Sequence, residues 1–282
     1  MHLTNSPNVI GAEISGIDLA QTLSDADFSQ IEHAFNQRSV VCFRGQQLNE
    51  AQLIAFARRF GEVERIFLTH YSHPRYPEIM FVSNIKENGR DIGHADAGSV
   101  WHTDMSYTAT PPRATLLYAI EVPTENGKAL GDTQFSSTAA AHDSLSSAMQ
   151  QKIANLRAIH QVAGRRARTA TGQQDQALRR EQPAVGHPVV RTHPYTGRKC
   201  LYVSKGECEG IEGMATDEAL ALIDKLADHT VDERFRHTHH WQVHDLLMWD
   251  NCSLQHLASF DYHWPQHRRL MHRVTVGGSA TF

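Results

Sequence analysis

"SVWHTDMSY", residues 99–107, sets the imidazole of His102 two positions before the carboxylate of Asp104. In an extended run side chains two apart share a face, so both can approach one ion while Thr103 points away. The pair supplies one neutral nitrogen and one anionic oxygen. By itself the spacing also fits an ordinary hydrogen-bonded His-Asp pair, so the reading turns on a third ligand.

Two imidazoles and one carboxylate that leave neighbouring positions open make the facial triad of non-haem Fe(II) oxygenases. The best candidate for the second imidazole is His256, in "MWDNCSLQHLA". A ligand so late in the chain is reasonable if two sheet layers close over one cavity. Spacing alone leaves His160, His187, His193, His239, His240 and His244 open as well.

The tail adds charge. "QHRRLMHRVTV" puts Arg269 and Arg273 four apart before a β-rich run, so one or both can turn inward and bind carboxylates with their planar donor forks. "GDTQFSS" offers Thr133 as a small hydroxyl able to share an acid with an arginine. The plainer alternative makes both arginines surface charges and Thr133 a strand residue.

Around these residues the chain reads as a globule. Its 282 residues are 40% apolar, enough for one large core or two small ones. Twenty-seven basic and 31 acidic side chains give a formal net charge of −4, which excludes a chain-wide positive field for nucleic acid. No apolar run reaches the length of a membrane span, and the N-terminus lacks the pattern of a secretory signal, so the expected location is cytoplasmic. Cys42, Cys200, Cys208 and Cys252 form no CxxC pair and are expected as reduced thiols.

"LSDADFSQIEHAFNQRS" spaces Phe28, Ile31 and Phe35 as a helix behind a Ser24 cap, and "VVCF" at 40–43 reads as a buried strand. "LNEAQLIAFARRFG" is a second helix, with Leu53, Phe56 and Phe60 as its apolar stripe and Gly61 suited to a left-handed terminating position. From about 78 onward, short β-rich segments such as "EIMFVSNI", "RATLLYAIEV", "KCLYVS" and "MHRVTVGG" alternate with turn residues, with helices near 136–156 and 216–229. The cadence favours a mainly β, antiparallel, double-layered sheet with peripheral helices over a βαβ array. Residues 1–282 show no domain boundary. The polar stretch 164–186 reads as a solvated loop, with a mobile cover over the site as the alternative.

"GAEISGIDL", "VVCFRGQQL", "AFARRFGEV", "WHTDMSY", "PPRATLLYA", "GDTQFSS", "HPVVRTHPYTGRKCLYVS", "HHWQVHDLLMWDN" and "QHLASFDYHWPQHRRLMHR" resemble, in that order, segments of the taurine and 2,4-dichlorophenoxyacetate dioxygenases. These depend on Fe(II) and 2-oxoglutarate. The resemblance implies a distorted double-stranded β-helix, or jelly roll, of cupin type. It implies His102, Asp104 and His256 as iron ligands and Arg269 with Thr133 as the clamp on the distal carboxylate of 2-oxoglutarate. It implies Arg273 near an anionic or zwitterionic substrate, with O2 as second cosubstrate and a homo-oligomer, dimer or tetramer, as a possible assembly. The presence of Asp104 argues against the halogenases of this type, in which a small residue makes room for chloride.

The departures from the pattern concern substrate. Ile66 and Gly98 stand where the taurine-specific subset has histidine and asparagine, and Val162 stands for a phenylalanine. Losing hydrogen-bonding groups argues against taurine. Met105 joins Gly98 as a flank that shapes the pocket. Sulfonates, sulfate esters, aryloxyalkanoates and amino-acid derivatives stay open. Two other classes compete: a zinc hydrolase on the same three ligands, which has no use for a keto-acid clamp, and a non-enzymatic binding module, which has no use for an open triad.

Overall fold

The computed structural model describes residues 1–65, 69–165 and 179–282. Its main sheet has seven strands in the order His2–Asn5, Ala12–Ser15, Val40–Phe43, Leu246–Asp250, Ala114–Glu121, Leu270–Val276 and Ile79–Ser83. All pairs are antiparallel except Ala12–Ser15 with Val40–Phe43.

Side chains alternate between two cores. Val41, Phe43, Leu116, Tyr118, Leu246, Met248, Val274 and Val276 pack with Ile31, Phe35, Leu53 and Phe56 of the helices Asp25–Arg38 and Glu50–Arg58. Val40, Cys42, Leu117, Ala119, Leu247, Trp249 and Met271 face the other way, toward Phe135, Trp241 and Leu254. Because both faces are covered, "VVCF" and "LLMW" are unbroken apolar runs rather than alternating ones. A second sheet, Arg236–His239, Thr133–Ser137 and Leu254–Ala258, supplies the opposing layer. The two sheets form the expected jelly-roll sandwich.

A third sheet, Val185–Pro188, Arg157–His160 and Cys208–Ile211, is covered by the helix Thr216–Thr230. The stretch 164–186 is thus partly strand. Arg165 pairs with Asp224 at 2.5 and 3.1 Å and Arg179 with Glu209 at 2.6 Å, while residues 166–178, and with them most of the loop-or-cover question, lie outside the described residues.

Local signals decide the helix ends. Ser24 accepts from the Asp27 N–H at 3.0 Å, and Asn49 with Gln52 closes a reciprocal cap. Gly61 is not left-handed helical: its φ is 152°, and the helix stops at Arg58 without it. All four cysteines are free and buried. Among the described residues no helix is long and apolar enough to cross a membrane.

Candidate active site

The "WHTD" run is not strand. His102 makes one isolated bridge, its N–H donating to the His256 carbonyl at 3.2 Å and its carbonyl accepting from the His256 N–H at 2.9 Å, and the chain then turns. This bridge brings His102 beside the strand Leu254–Ala258 with ring centroids 4.2 Å apart. Thr103 does point away, donating to the Leu254 carbonyl at 2.9 Å. Asp104 and His102 therefore face the cavity together, as an extended spacing predicts, but a single bridge and one threonine hold them there.

The tautomer of His102 follows from its partner. Nδ1 lies 2.8 Å from the Val100 carbonyl, which can only accept, so Nδ1 carries the proton and Nε2 presents a lone pair. That Nε2 is 3.5 Å from Asp104 Oδ1, and His256 Nε2 is 3.9 Å from the same oxygen. Arg273 Nη2 is 3.0 Å from it. The other oxygen, Oδ2, accepts from the Thr115 hydroxyl at 2.6 Å.

Electrostatics act differently on the three donors. Burial works against ionised Asp104, yet Arg273 and the two imidazoles hold its carboxyl well below the usual range. Burial, with His102 alongside, pulls His256 down to about 3. Burial also opposes a charged His102, but Asp104 outweighs it and raises the pKa. The three ligand atoms lie within 4.8 Å of one another. Two nitrogens and one ionised oxygen, all nearly buried and convergent, fit a borderline divalent ion such as Fe(II).

Two other buried clusters have the composition of a metal site without its lone pairs. His193 Nδ1 accepts from the Tyr195 and Thr196 N–H groups at 3.1 Å, so its Nε2–H donates to Asp250 at 2.6 Å. Asp245 is neutralised by Arg44 and also accepts from His239 and the Gln242 N–H. The remaining candidate histidines are engaged elsewhere: His160 with Ser106, His187 with Thr108 and Thr281, His240 with Asp132, and His244 with Tyr118.

Arg269 enters the same cavity just before the last strand. Its N–H donates to Asn84 Oδ1 at 2.9 Å and its carbonyl accepts from Ser83 Oγ at 2.7 Å, so the backbone is pinned on both sides. The guanidinium is buried, its carbon 5.7 Å from the centre of the Tyr262 ring. Gly131 leaves the necessary space, since a Cβ there would sit 3.0 Å from Tyr262 and 3.3 Å from Arg269 Nε. Burial lowers the Arg269 pKa, and among the described residues no carboxylate forms an ion pair with it. A buried cation in this state calls for an anion from outside, which fits the distal carboxylate of 2-oxoglutarate. Thr133 is buried beside it and accepts from Trp241 Nε1–H at 3.0 Å, which leaves its own proton to donate.

Gly98, Thr133, Arg269 and Arg273 line the cavity with the three candidate ligands. Met105 and Val162, expected as substrate contacts, are not part of that lining, and Ile66 lies outside the described residues. Met105 instead makes the turn after Asp104, with φ 48° and its carbonyl accepting from Thr108. Val162 is buried, with its N–H on Gln161 Oε1. A larger cavity of about 750 Å³ lies on the other face of the Leu254–Ala258 strand, against Gln255 and Leu257, and holds none of the triad. Sequence reading missed Thr115, Asn251, Trp241 and Tyr262. All four lie in segments already quoted, "PPRATLLYA", "HHWQVHDLLMWDN" and "QHLASFDYHWPQHRRLMHR", but none was given a role there.

A cupin-type sandwich that converges two imidazoles, one carboxylate and a buried guanidinium between its layers has the fold and donor set of the mononuclear iron oxygenases. Residues 2–275 match the model of the taurine catabolism dioxygenase TauD, TfdA family, and the chain belongs to that family. It is 33% identical over 279 residues to the α-ketoglutarate-dependent 2,4-dichlorophenoxyacetate dioxygenase of Cupriavidus pinatubonensis, covering 95% of this chain and 94% of that one. Pentalenolactone F synthase of Streptomyces arenae is 31% identical, with 97% and 94% covered. Among solved structures, AAD-2 in complex with Mn(II) and N-oxalylglycine superposes with a TM-score of 0.84 at 26% identity, covering 99% of this chain and 98% of that one. A taurine dioxygenase from Burkholderia xenovorans gives 0.83 at 28%, with 99% and 90% covered. The protein is an Fe(II)- and 2-oxoglutarate-dependent dioxygenase that uses O2 and acts on a small molecule.

Proposed function

We propose that His102, Asp104 and His256 hold the iron, that Arg269 and Thr133 hold the distal carboxylate of 2-oxoglutarate, and that Arg273 receives the anionic end of an aryloxyalkanoate-like substrate. The observation that carries the reading is the convergence of His102 Nε2, His256 Nε2 and Arg273 on one oxygen of Asp104. When bound, Fe(II), 2-oxoglutarate and O2 supply the oxidation of a substrate C–H bond to C–OH, with 2-oxoglutarate released as succinate and CO2.

The chain's own residues orient and exclude. Arg273 offers a planar donor fork next to the candidate iron carboxylate, so an acid seated on it has its neighbouring carbon near the metal donors. Leu117, Val82, Trp249 and Ala258 make the rest of the wall apolar, which suits a ring or alkyl chain better than a second charged group. Gly98 itself contributes no side-chain hydrogen-bond donor to that wall, which disfavours a compact sulfonate such as taurine. The 2,4-dichlorophenoxyacetate dioxygenase relative supports the same class.

The test is a panel of acids added to the anaerobic Fe(II) and 2-oxoglutarate complex, followed by O2 and measurement of succinate. Phenoxyacetates and 2-phenoxypropionates should couple turnover better than taurine, and Arg273→Leu should raise KM for them at least tenfold. Taurine as the best substrate, or an unchanged KM in the variant, overturns the assignment.

A further inference from the structure

We infer that Thr115 is a positioning residue that restricts Asp104 to a single oxygen toward the metal, and so keeps a coordination position open for the cosubstrates. The inference rests on the triad reading above.

The two Asp104 oxygens have separate surroundings. Oδ1 faces His102 Nε2, His256 Nε2 and Arg273, whereas Oδ2 is 2.6 Å from Thr115 Oγ1. A hydroxyl has one proton, and its direction here is fixed. Asn251 Nδ2 lies 3.0 Å from the same Oγ1 and can only donate, and ionised Asp104 can only accept, so the Thr115 proton goes to Oδ2. Thr115 and Asn251 are fully buried, so water does not compete. Thr115 also sits in the middle of the main sheet, opposite Trp249 on one side and Thr275 on the other, so its position cannot drift. Nothing in the "WHTD" run itself selects which oxygen turns to the metal. That choice comes from the neighbouring strand.

The consequence is a matter of counting. Three protein donors would leave room on a bound ion for the keto acid and O2. A second oxygen from Asp104 would take up part of that room. The Thr115 hydrogen bond opposes that swing, because breaking it strands a buried hydroxyl and shifts the carboxylate.

Thr115→Val removes the hydroxyl at nearly constant volume, and Thr115→Ser restores it. With the protein loaded with Co(II) or, under argon, Fe(II), metal affinity and 2-oxoglutarate affinity are measured separately by titration. The Co(II) visible spectrum serves as a coordination readout. In Thr115→Val, 2-oxoglutarate should bind the metal-loaded protein about tenfold more weakly or worse. Metal affinity should change by less than about threefold, and the Co(II) spectrum should shift. Thr115→Ser should return all three. Loss of metal affinity with unchanged 2-oxoglutarate affinity at saturating metal overturns the inference, since Thr115 would then merely steady Asp104. No change in either also overturns it. Asp104→Ala separates the two levels: metal affinity undiminished from the parent there sinks the triad reading itself. If Thr115→Val does not fold, Thr115→Ala carries the same comparison.

Discussion

Replacing Arg269 with methionine removes a charge while keeping much of the packing, and the structure fixes both signs of the outcome. Arg269 is 3% exposed, and among the described residues no carboxylate pairs with it. A carboxylate docked on it would gain charge-assisted hydrogen bonds of about 1.5–3 kcal/mol each. Losing one partner of such a buried pair costs about 3–5 kcal/mol. At about 1.4 kcal/mol per decade, 2-oxoglutarate affinity should fall between about a hundredfold and a few thousandfold. The assay is anaerobic titration of the metal-loaded variant, following the visible band of the metal and keto acid, with 2-oxobutanoate as the control lacking a distal carboxylate. The control acid should bind the variant no worse than the parent. The cofactor-free variant should also melt higher, by about 2–4 °C per kcal/mol, because an unpaired buried cation has gone. A loss of 2-oxoglutarate affinity below threefold, or an equal loss for both acids, refutes the clamp.

Three further expectations follow from particular contacts. Trp241→Phe and Thr133→Val should each weaken 2-oxoglutarate binding by about 1 kcal/mol, with the double variant no worse than either single, because the indole acts through the Thr133 hydroxyl; additive losses measured by the same titration count against it. His272, packed on Phe81 and His73, is pushed by burial down to about 4. A lowered histidine favours the neutral form in the fold, so its stability contribution is present above the unfolded value of about 6.5 and is lost as pH falls toward 4. From pH 7 to 5 this amounts to about 2 kcal/mol, which should appear as the difference in pH dependence between urea melts of the parent and of His272→Phe. Gly98→Ala forces a Cβ to 3.3 Å from Ala258 and 3.6 Å from His102 at φ 87°, so it should cost about 1–2 kcal/mol in urea and weaken metal binding; an unchanged melt contradicts this.

Much of the site was legible because its chemistry requires specific side chains. His102 and Asp104 could be read as a candidate pair since few residue types supply a neutral nitrogen or an anionic oxygen, whereas choosing Arg269 over Arg273 took the resemblance. His256 required the resemblance, because six other histidines had equal claim on spacing. Strands such as Val40–Phe43 were legible since a sheet covered on both faces must be apolar throughout. The "WHTD" backbone was misread as strand because alternation reports which side chains share a face, and a bridge plus a turn achieves that as well. Met105 and Val162 lie outside the cavity lining: a position beside Asp104 in sequence does not say which way a turn carries the Met105 side chain, and Val162 was named only from the family pattern. Thr115 was invisible, since an ordinary strand threonine acquires a role only when a distant loop folds over it.

The strand Leu270–Val276 lies inside the main sheet, between Ala114–Glu121 and Ile79–Ser83, and carries Arg273 beside Asp104. During synthesis from the N-terminus this strand emerges long after its two neighbours, which must wait with unpaired edges and exposed apolar faces. A nascent chain that has reached only residue 250 lacks His256, Arg269 and Arg273, and with them the His256 bridge that seats His102 and the Leu254 carbonyl that holds Thr103. The candidate centre is thus completed only with the last long-range pairings of the chain.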